Sequence, residues 1–127
     1  SMGDVFLFSQ LHANGSQGLS DITQILGMLV PDKCLGVMGA EEIDWFGNVN
    51  SIATSKGKFI VGSGGANDIA STADCIIVAK AIRQRYVRKV NFITTNGDRV
   101  KEAVCQFGRF RRDKMEHIFE FTNWIAP

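Results

Sequence analysis

The sequence predicts an α/β domain with an open, mostly parallel sheet flanked by helices, and three observations carry that prediction. Short apolar runs at residues 34–38, 75–79 and 90–94 lack polar alternation, as expected of strands covered on both faces. Segments with apolar residues at helical spacing lie between such runs. A glycine-rich stretch, Gly62-Ser63-Gly64-Gly65-Ala66-Asn67-Asp68, stands where a strand at 59–61 would pass into a short helix at 66–73.

With 127 residues, 45% hydrophobic and 21% charged, the chain is expected to form one globular domain over residues 3–127. Ser1 and Met2 read as an expression scar, so a longer natural polypeptide is expected. Fourteen basic residues against 13 acidic ones leave a net charge of +1, which gives no overall electrostatic case for nucleic acid or an acidic membrane surface. No signal peptide is evident, and no apolar run approaches the roughly 18 residues that span a bilayer, so a cytoplasmic protein is expected. Cys34, Cys75 and Cys105 are odd in number and set in apolar segments. They read as reduced core thiols, with neither a disulfide framework nor a metal site expected.

In chain order, residues 4–10 form an apolar run read as a first strand, and Asn14-Gly15 and Gln17-Gly18 mark turns in the loop that follows. Ser20 or Asp21 can cap a helix whose Ile22, Ile25, Leu26 and Leu29 share one face, and Pro31 ends it. The strand at 34–38 leads into a polar loop at 39–50, and the strand at 59–61 leads into the glycine turn. After the strands at 75–79 and 90–94, Asn96-Gly97-Asp98 is expected to turn the chain into a helix carrying Val100, Ala103, Val104 and Phe107, with Gly108 as its stop. Ile118, Phe119 and Phe121 belong either to an edge strand or to a surface that docks a partner.

Loops that leave the carboxyl ends of strands in open α/β sheets form ligand sites, so 39–50 and 62–67 are expected to face one crevice. Glycines let backbone N–H groups approach a ligand without a Cβ in the way. The turn is therefore either an anion or oxyanion cradle or a tight connection with no ligand. Two basic clusters, Arg83, Arg85 and Arg88, then Arg109, Arg111 and Arg112, read as a solvated face in preference to a phosphate patch.

Taken together, the loop Gly39-Ala-Glu-Glu-Ile-Asp-Trp-Phe-Gly-Asn-Val-Asn50 and the turn Gly62-Ser-Gly-Gly-Ala-Asn-Asp-Ile-Ala70 resemble two signatures of the class I CoA-transferases. The resemblance is to the B (β) type of chain, within the glutaconate CoA-transferase branch. Phe92-Ile-Thr-Thr-Asn-Gly-Asp-Arg-Val100 and Phe107-Gly-Arg-Phe110 are similar to later stretches of the same family, so that the match runs over residues 21–112 in the family's order. It implies a truncated CoA-transferase-like sheet paired with an A-type subunit or domain, or a homo-oligomer. It also implies coenzyme A thioester as substrate, free or on a carrier arm. In that chemistry a glutamate carboxylate attacks the thioester, and N–H donors from Gly62, Ser63, Gly64, Gly65, Ala66 and Asn67 hold the oxyanion.

Two departures bear on the reaction. Gln10 stands where the family's glutamate would be, and a neutral amide cannot form the acyl anhydride. Glu42 stands where the family has glutamine, so it is either a relocated base or nucleophile or, with Glu41, a solvated loop acid. Asp44, Asn48 and Asn50 match the family pattern and read as loop-holding residues, and Asn67 and Asp68 as helix caps. His12 is a candidate acid or base or a merely exposed histidine, and His117 is a weaker candidate. Trp45 and Phe46 either wall an acyl pocket or pack beneath their loop. Three readings follow: a CoA-transferase-like acyl-thioester domain, a decarboxylase, hydratase or hydrolase that works without a glutamate nucleophile, and a noncatalytic scaffold of a larger protein.

Overall fold

A computed structural model describes residues 14–16, 18–31, 34–54, 56–60, 62, 64–114 and 118–125. The first strand at 4–10, Gln10, His12, Ser63 and His117 lie outside these residues. Asp21 caps the first helix, α1 (Ile22–Gln24), by accepting a 2.7 Å bond from the Gln24 N–H. The helix continues as a π-turn over Ile25–Leu29, closed by Val30 N–H donating to the Ile25 carbonyl at 2.9 Å. Its predicted apolar face is not a core face, for Ile22 and Ile25 are 66% and 39% exposed.

Strand β1 (Gly36–Gly39) leads to β2 (Glu42–Asp44) and β3 (Val49–Asn50). Helix α2 (Ala66–Thr72) precedes β4 (Cys75–Val78), and β5 (Tyr86–Val87), β6 (Val100–Val104), β7 (Gly108–Arg111) and β8 (Glu120–Trp124) follow. The larger sheet has the order β1-β4-β6-β7-β8. Its first three strands are parallel and its last three antiparallel, so it is mixed, with a parallel half. A smaller sheet, β3-β2-β5, sits beside it. Met38, Ile77, Ala103 and Phe110 line up across β1, β4, β6 and β7, and with Ala70 of α2 and Ile43 and Val49 of the smaller sheet they make one core.

Several sequence expectations are corrected. Residues 100–104 form a strand, not a helix. Between β4 and β6 the register shifts from Cys75↔Val100 to Ile76↔Glu102, so Lys101 is an extra residue in the ladder. That bulge sends Val100 and Ala103, three apart, to the same buried face, which imitates helical spacing. Gly108 accordingly begins β7 rather than stopping a helix, and a Cβ there would overlap the Phe121 ring of β8.

Residues 90–94 are not a strand of the larger sheet. They are tied to β3, where Thr94 N–H and Oγ both donate to the Val49 carbonyl at 2.9 Å, and Phe92 and Ile93 point outward. Phe59 is 73% exposed and makes one bridge to Ala53, so no buried strand delivers the glycine turn. The parallel strands are covered on one face only, because Val37 and Val78 alternate outward with 66% and 49% exposure.

Cys34 is exposed ahead of β1 and is not a core residue, whereas Cys75 and Cys105 are buried. Burial pushes the Cys75 thiol up from its ordinary pKa, Asp74 adds to the rise and Arg99 opposes it. Iodoacetamide at neutral pH is therefore expected to alkylate Cys34 in the native protein and to reach Cys75 and Cys105 only after denaturation, as peptide mass mapping would read directly.

Candidate functional site

The loop after β2 is built by Asp44. Its Oδ1 accepts from the Phe46 and Asn48 N–H groups at 2.9 and 3.0 Å, and its Oδ2 accepts from Asn48 Nδ2 at 3.2 Å and Val90 N–H at 3.4 Å. Both oxygens are thus engaged, which is how a carboxylate 4% exposed is satisfied. Gly47 takes a φ of 80°, open to glycine at little cost, and its backbone meets that of Gly97 so closely that a Cβ on Gly97 would overlap the Gly47 carbonyl carbon. Asn48 Oδ1 accepts from the Gly97 N–H at 3.0 Å and completes the crossing.

Arg112 locks this crossing from below. Its guanidinium donates to the carbonyls of Phe46 at 2.6 Å, Val100 at 2.9 Å and Gly97, and it lies 4.9 Å from the centre of the Phe119 ring. Burial lowers its pKa from the ordinary value, while Asp98 and Asp44 act the other way. Sequence reading placed Arg112 on a solvated face; it is 6% exposed. The other arginines also have protein partners: Arg85 pairs with Glu41 at 3.1 Å, Arg109 and Arg111 pair with Glu102 at 3.8 and 3.0 Å, and Arg88 covers Trp45 at 5.3 Å. Among the described residues, Arg83 has no such partner.

Glu42 is not a solvated acid. It is 2% exposed in β2, directly across from Asn50 of β3, whose Nδ2 donates to Glu42 Oε2 at 3.1 Å. Asn50 also accepts from the Ile52 and Ala53 N–H groups at 3.2 and 3.3 Å. Glu41 and Glu42 border a cavity of about 280 Å³ with Lys56, Lys58 and Arg85.

The glycine turn sits at the entrance of α2. Gly64 has a φ of 55°, the left-handed conformation that L side chains rarely take, and Gly65 is the N-cap with a φ of −79°. No side chain caps the helix, so Asn67 and Asp68 do not have the capping role expected of them. They lie inside its first turns, where their carbonyls accept from Ser71 and Thr72 at 2.7 and 3.0 Å. The helix leads back to the amino ends of the strands, where Gly36 N–H of β1 donates to the Asp74 carbonyl at 2.9 Å. The loops at 45–48, 79–85 and 105–107 leave the carboxyl ends of β2, β4 and β6.

A larger cavity of about 510 Å³ opens at that end, bordered by Ala81 and Ile82 after β4, Trp45 after β2 and Phe107 after β6. Trp45 is thus a cavity wall, whereas Phe46 is not. Neither cavity is lined by Gly62, Gly64, Gly65, Ala66 or Asn67. The structure gathers Glu42, Asp44, Asn48 and Asn50 around the smaller sheet. No cluster of three or more potential metal ligands occurs among the described residues, and none of their helices is long and apolar enough to cross a membrane.

No protein-family model matches the sequence. Over 72 residues it is 35% identical to the B-type chain of glutaconate CoA-transferase from Acidaminococcus fermentans, covering 52% of this chain and 26% of that one. The crystal structure of glutaconate coenzyme A-transferase from the same organism matches with a TM-score of 0.65 at 22% identity, over 81% of this chain and 46% of the other. The fold is CoA-transferase B-subunit-like. The decarboxylase AibA/AibB shares this CoA-transferase-like fold, with a TM-score of 0.74 at 16% identity over 89% of this chain and 50% of that chain. The chain spans about half the length of the solved structures and about a quarter of the curated relative.

Proposed function

We propose that this domain binds an acyl thioester of coenzyme A or of a carrier arm, with the thioester oxyanion held by N–H groups of the turn from Gly62 through Ser63, Gly64 and Gly65 to Ala66. The observation that carries the reading is the left-handed Gly64 at the entrance of α2, directly ahead of the Gly65 N-cap, which has no side-chain cap. The early N–H groups of a helix lack intrahelical acceptors, and in a water-poor site one such donor contributes roughly 3 kcal/mol to an oxyanion transition state. The likeness to a B-type CoA-transferase chain supports a thioester oxyanion as the anion held there. A cytoplasmic A-type subunit or domain, or a second copy, would complete the catalytic site, since the matched relative is itself named as one subunit of an enzyme.

Gln10 favours a second form of the reaction. With an amide in place of the family's glutamate, no acyl anhydride can form, and decarboxylation, hydration or hydrolysis of the bound thioester replaces transfer. Glu42, standing where the family has glutamine, is the candidate relocated carboxylate, and the bond it accepts from Asn50 holds it in β2.

Calorimetry with butyryl-CoA tests the cradle. Gly65→Val is expected to weaken binding at least about tenfold, the equivalent of one charge-assisted hydrogen bond. Its backbone conformation suits any residue, and a Cβ there meets only Leu26 methyls, the nearer at 3.5 Å, so the unfolding midpoint should move little. Wild-type protein that binds no acyl-CoA would leave the noncatalytic scaffold as the surviving reading. A borohydride-trapped glutamyl adduct would restore the transferase cycle.

A further inference from the structure

The larger cavity has a chemistry of its own. Five rings border it, those of Trp45, Tyr86, Phe107, Phe110 and Phe119, while the small Ala103 leaves room opposite them. Its volume of about 510 Å³ falls in the range of small-molecule sites.

Its rings are held in place by contacts outside the cavity. Tyr86 OH donates to the Ala79 carbonyl at 2.9 Å, and burial, with Cys105 adding to the effect and Arg85 opposing it, pushes its pKa up to about 12, which keeps it a neutral phenol. Phe110 is braced between Tyr86 at 6.2 Å and Phe121 at 5.4 Å. Phe119 lies under Arg112 and Trp45 under Arg88. Such a cavity is preformed, so an apolar ligand would enter with little side-chain ordering cost.

Two charged residues border the cavity, Asp44 and Arg83. The Asp44 oxygens are engaged by its own loop and by the Val90 N–H. Arg83, exposed at the cavity and without an acidic partner among the described residues, is available to an anion at the water boundary.

We infer that this cavity binds a compact, ring-bearing apolar monocarboxylic acid, its ring among the five aromatic walls and its carboxylate at Arg83. The acid's role as acyl acceptor or acyl product rests on the acyl-thioester reading above, whereas its binding depends on the cavity alone. A polar dicarboxylic acid is the wrong ligand, since its second carboxylate would be stripped of water against the rings.

Calorimetry with 2-naphthylacetate, 2-naphthaleneethanol and glutarate tests the inference. The acid should bind, the alcohol should bind about tenfold more weakly for want of the charged hydrogen bond, and glutarate should give no heat. Arg83→Met should bring acid and alcohol to equal affinity. Ala81→Trp should fill the entrance and abolish both; if that variant fails to fold, Ile82→Asp, at a side chain 43% exposed, places a repelling charge there instead.

Absence of heat with 2-naphthylacetate, equal affinities for acid and alcohol in the wild type, or binding that survives both entrance variants would overturn the inference. Gly65→Val separates the two proposals: it should lose butyryl-CoA and retain 2-naphthylacetate, because the turn does not line the cavity. Failure of butyryl-CoA binding alone counts against the cradle, and failure of 2-naphthylacetate alone counts against the cavity.

Discussion

Gly97→Ala is expected to cost about 3 kcal/mol of stability, at the upper end for a single added methyl group. A Cβ at Gly97 would overlap the Gly47 carbonyl carbon and oxygen and the Asn48 nitrogen, all of them backbone atoms. A flexible side chain could swing away, but these atoms are pinned. Asp44 accepts from the Asn48 N–H, Gly47 N–H donates to the Asp44 carbonyl at 3.0 Å, and Asn48 Oδ1 is bound to the very residue being changed. Relief would require separating the loop after β2 from the turn before β6, which also breaks the Arg112 bonds across that gap. Urea unfolding measures the loss, and a change below about 0.5 kcal/mol, the size of an ordinary surface substitution, would show that the two backbones do not cross as described. Gly108→Ala makes a milder comparison, because the nearest obstacle there is the rim of the Phe121 ring, which can turn.

The second large effect is expected at Arg112. Arg112→Met keeps an apolar stem over Phe119 but removes the donors to the carbonyls of Phe46, Gly97 and Val100. Hydrogen bonds from a charged donor contribute about 1.5–3 kcal/mol each, and a buried carbonyl left without a partner costs about 1–3 kcal/mol. Relief of the buried cation's own desolvation offsets part of this, so the expected net loss is roughly 3–5 kcal/mol. Arg112→Lys should recover only part of it: an ammonium restores the charge but not the planar fork that reaches three carbonyls at once. A lysine variant as stable as the wild type would mean that charge alone holds the loop. Thermal unfolding of the two variants side by side makes the distinction.

The sequence exposed some of this and hid the rest for identifiable reasons. Asp21 was legible as a cap, and residues 34–38 and 75–79 as strands, because capping and apolar runs are local properties. The strand at 100–104 was not. Its bulge at Lys101 changes the spacing of inward residues from two to three, and a period of three reads as a helix. Residues 90–94 look like a sheet strand by composition, yet their backbone groups are bound to Val49 in the smaller sheet, a pairing across more than forty residues. Arg112 stands in a run of basic residues on an ordinary-looking surface segment, and nothing in that run distinguishes the buried guanidinium from its exposed neighbours.

The same division runs through the candidate site. The glycines at 62, 64 and 65 and the loop at 39–50 announced themselves by residue type, and by resemblance they named the fold that the comparisons then showed. Glycine spacing is written into the chain because a left-handed residue or a close backbone approach excludes other side chains. The cavity could not be read in this way. Its walls come from β2, β5, β6 and β7 and from the loops after β2, β4, β6 and β7, so the gathering of five rings exists only once those strands have taken their order. Likewise, that Asp44 is saturated and Arg83 is not depends on which backbone N–H groups folding brings to each, and no residue's neighbours in sequence determine that.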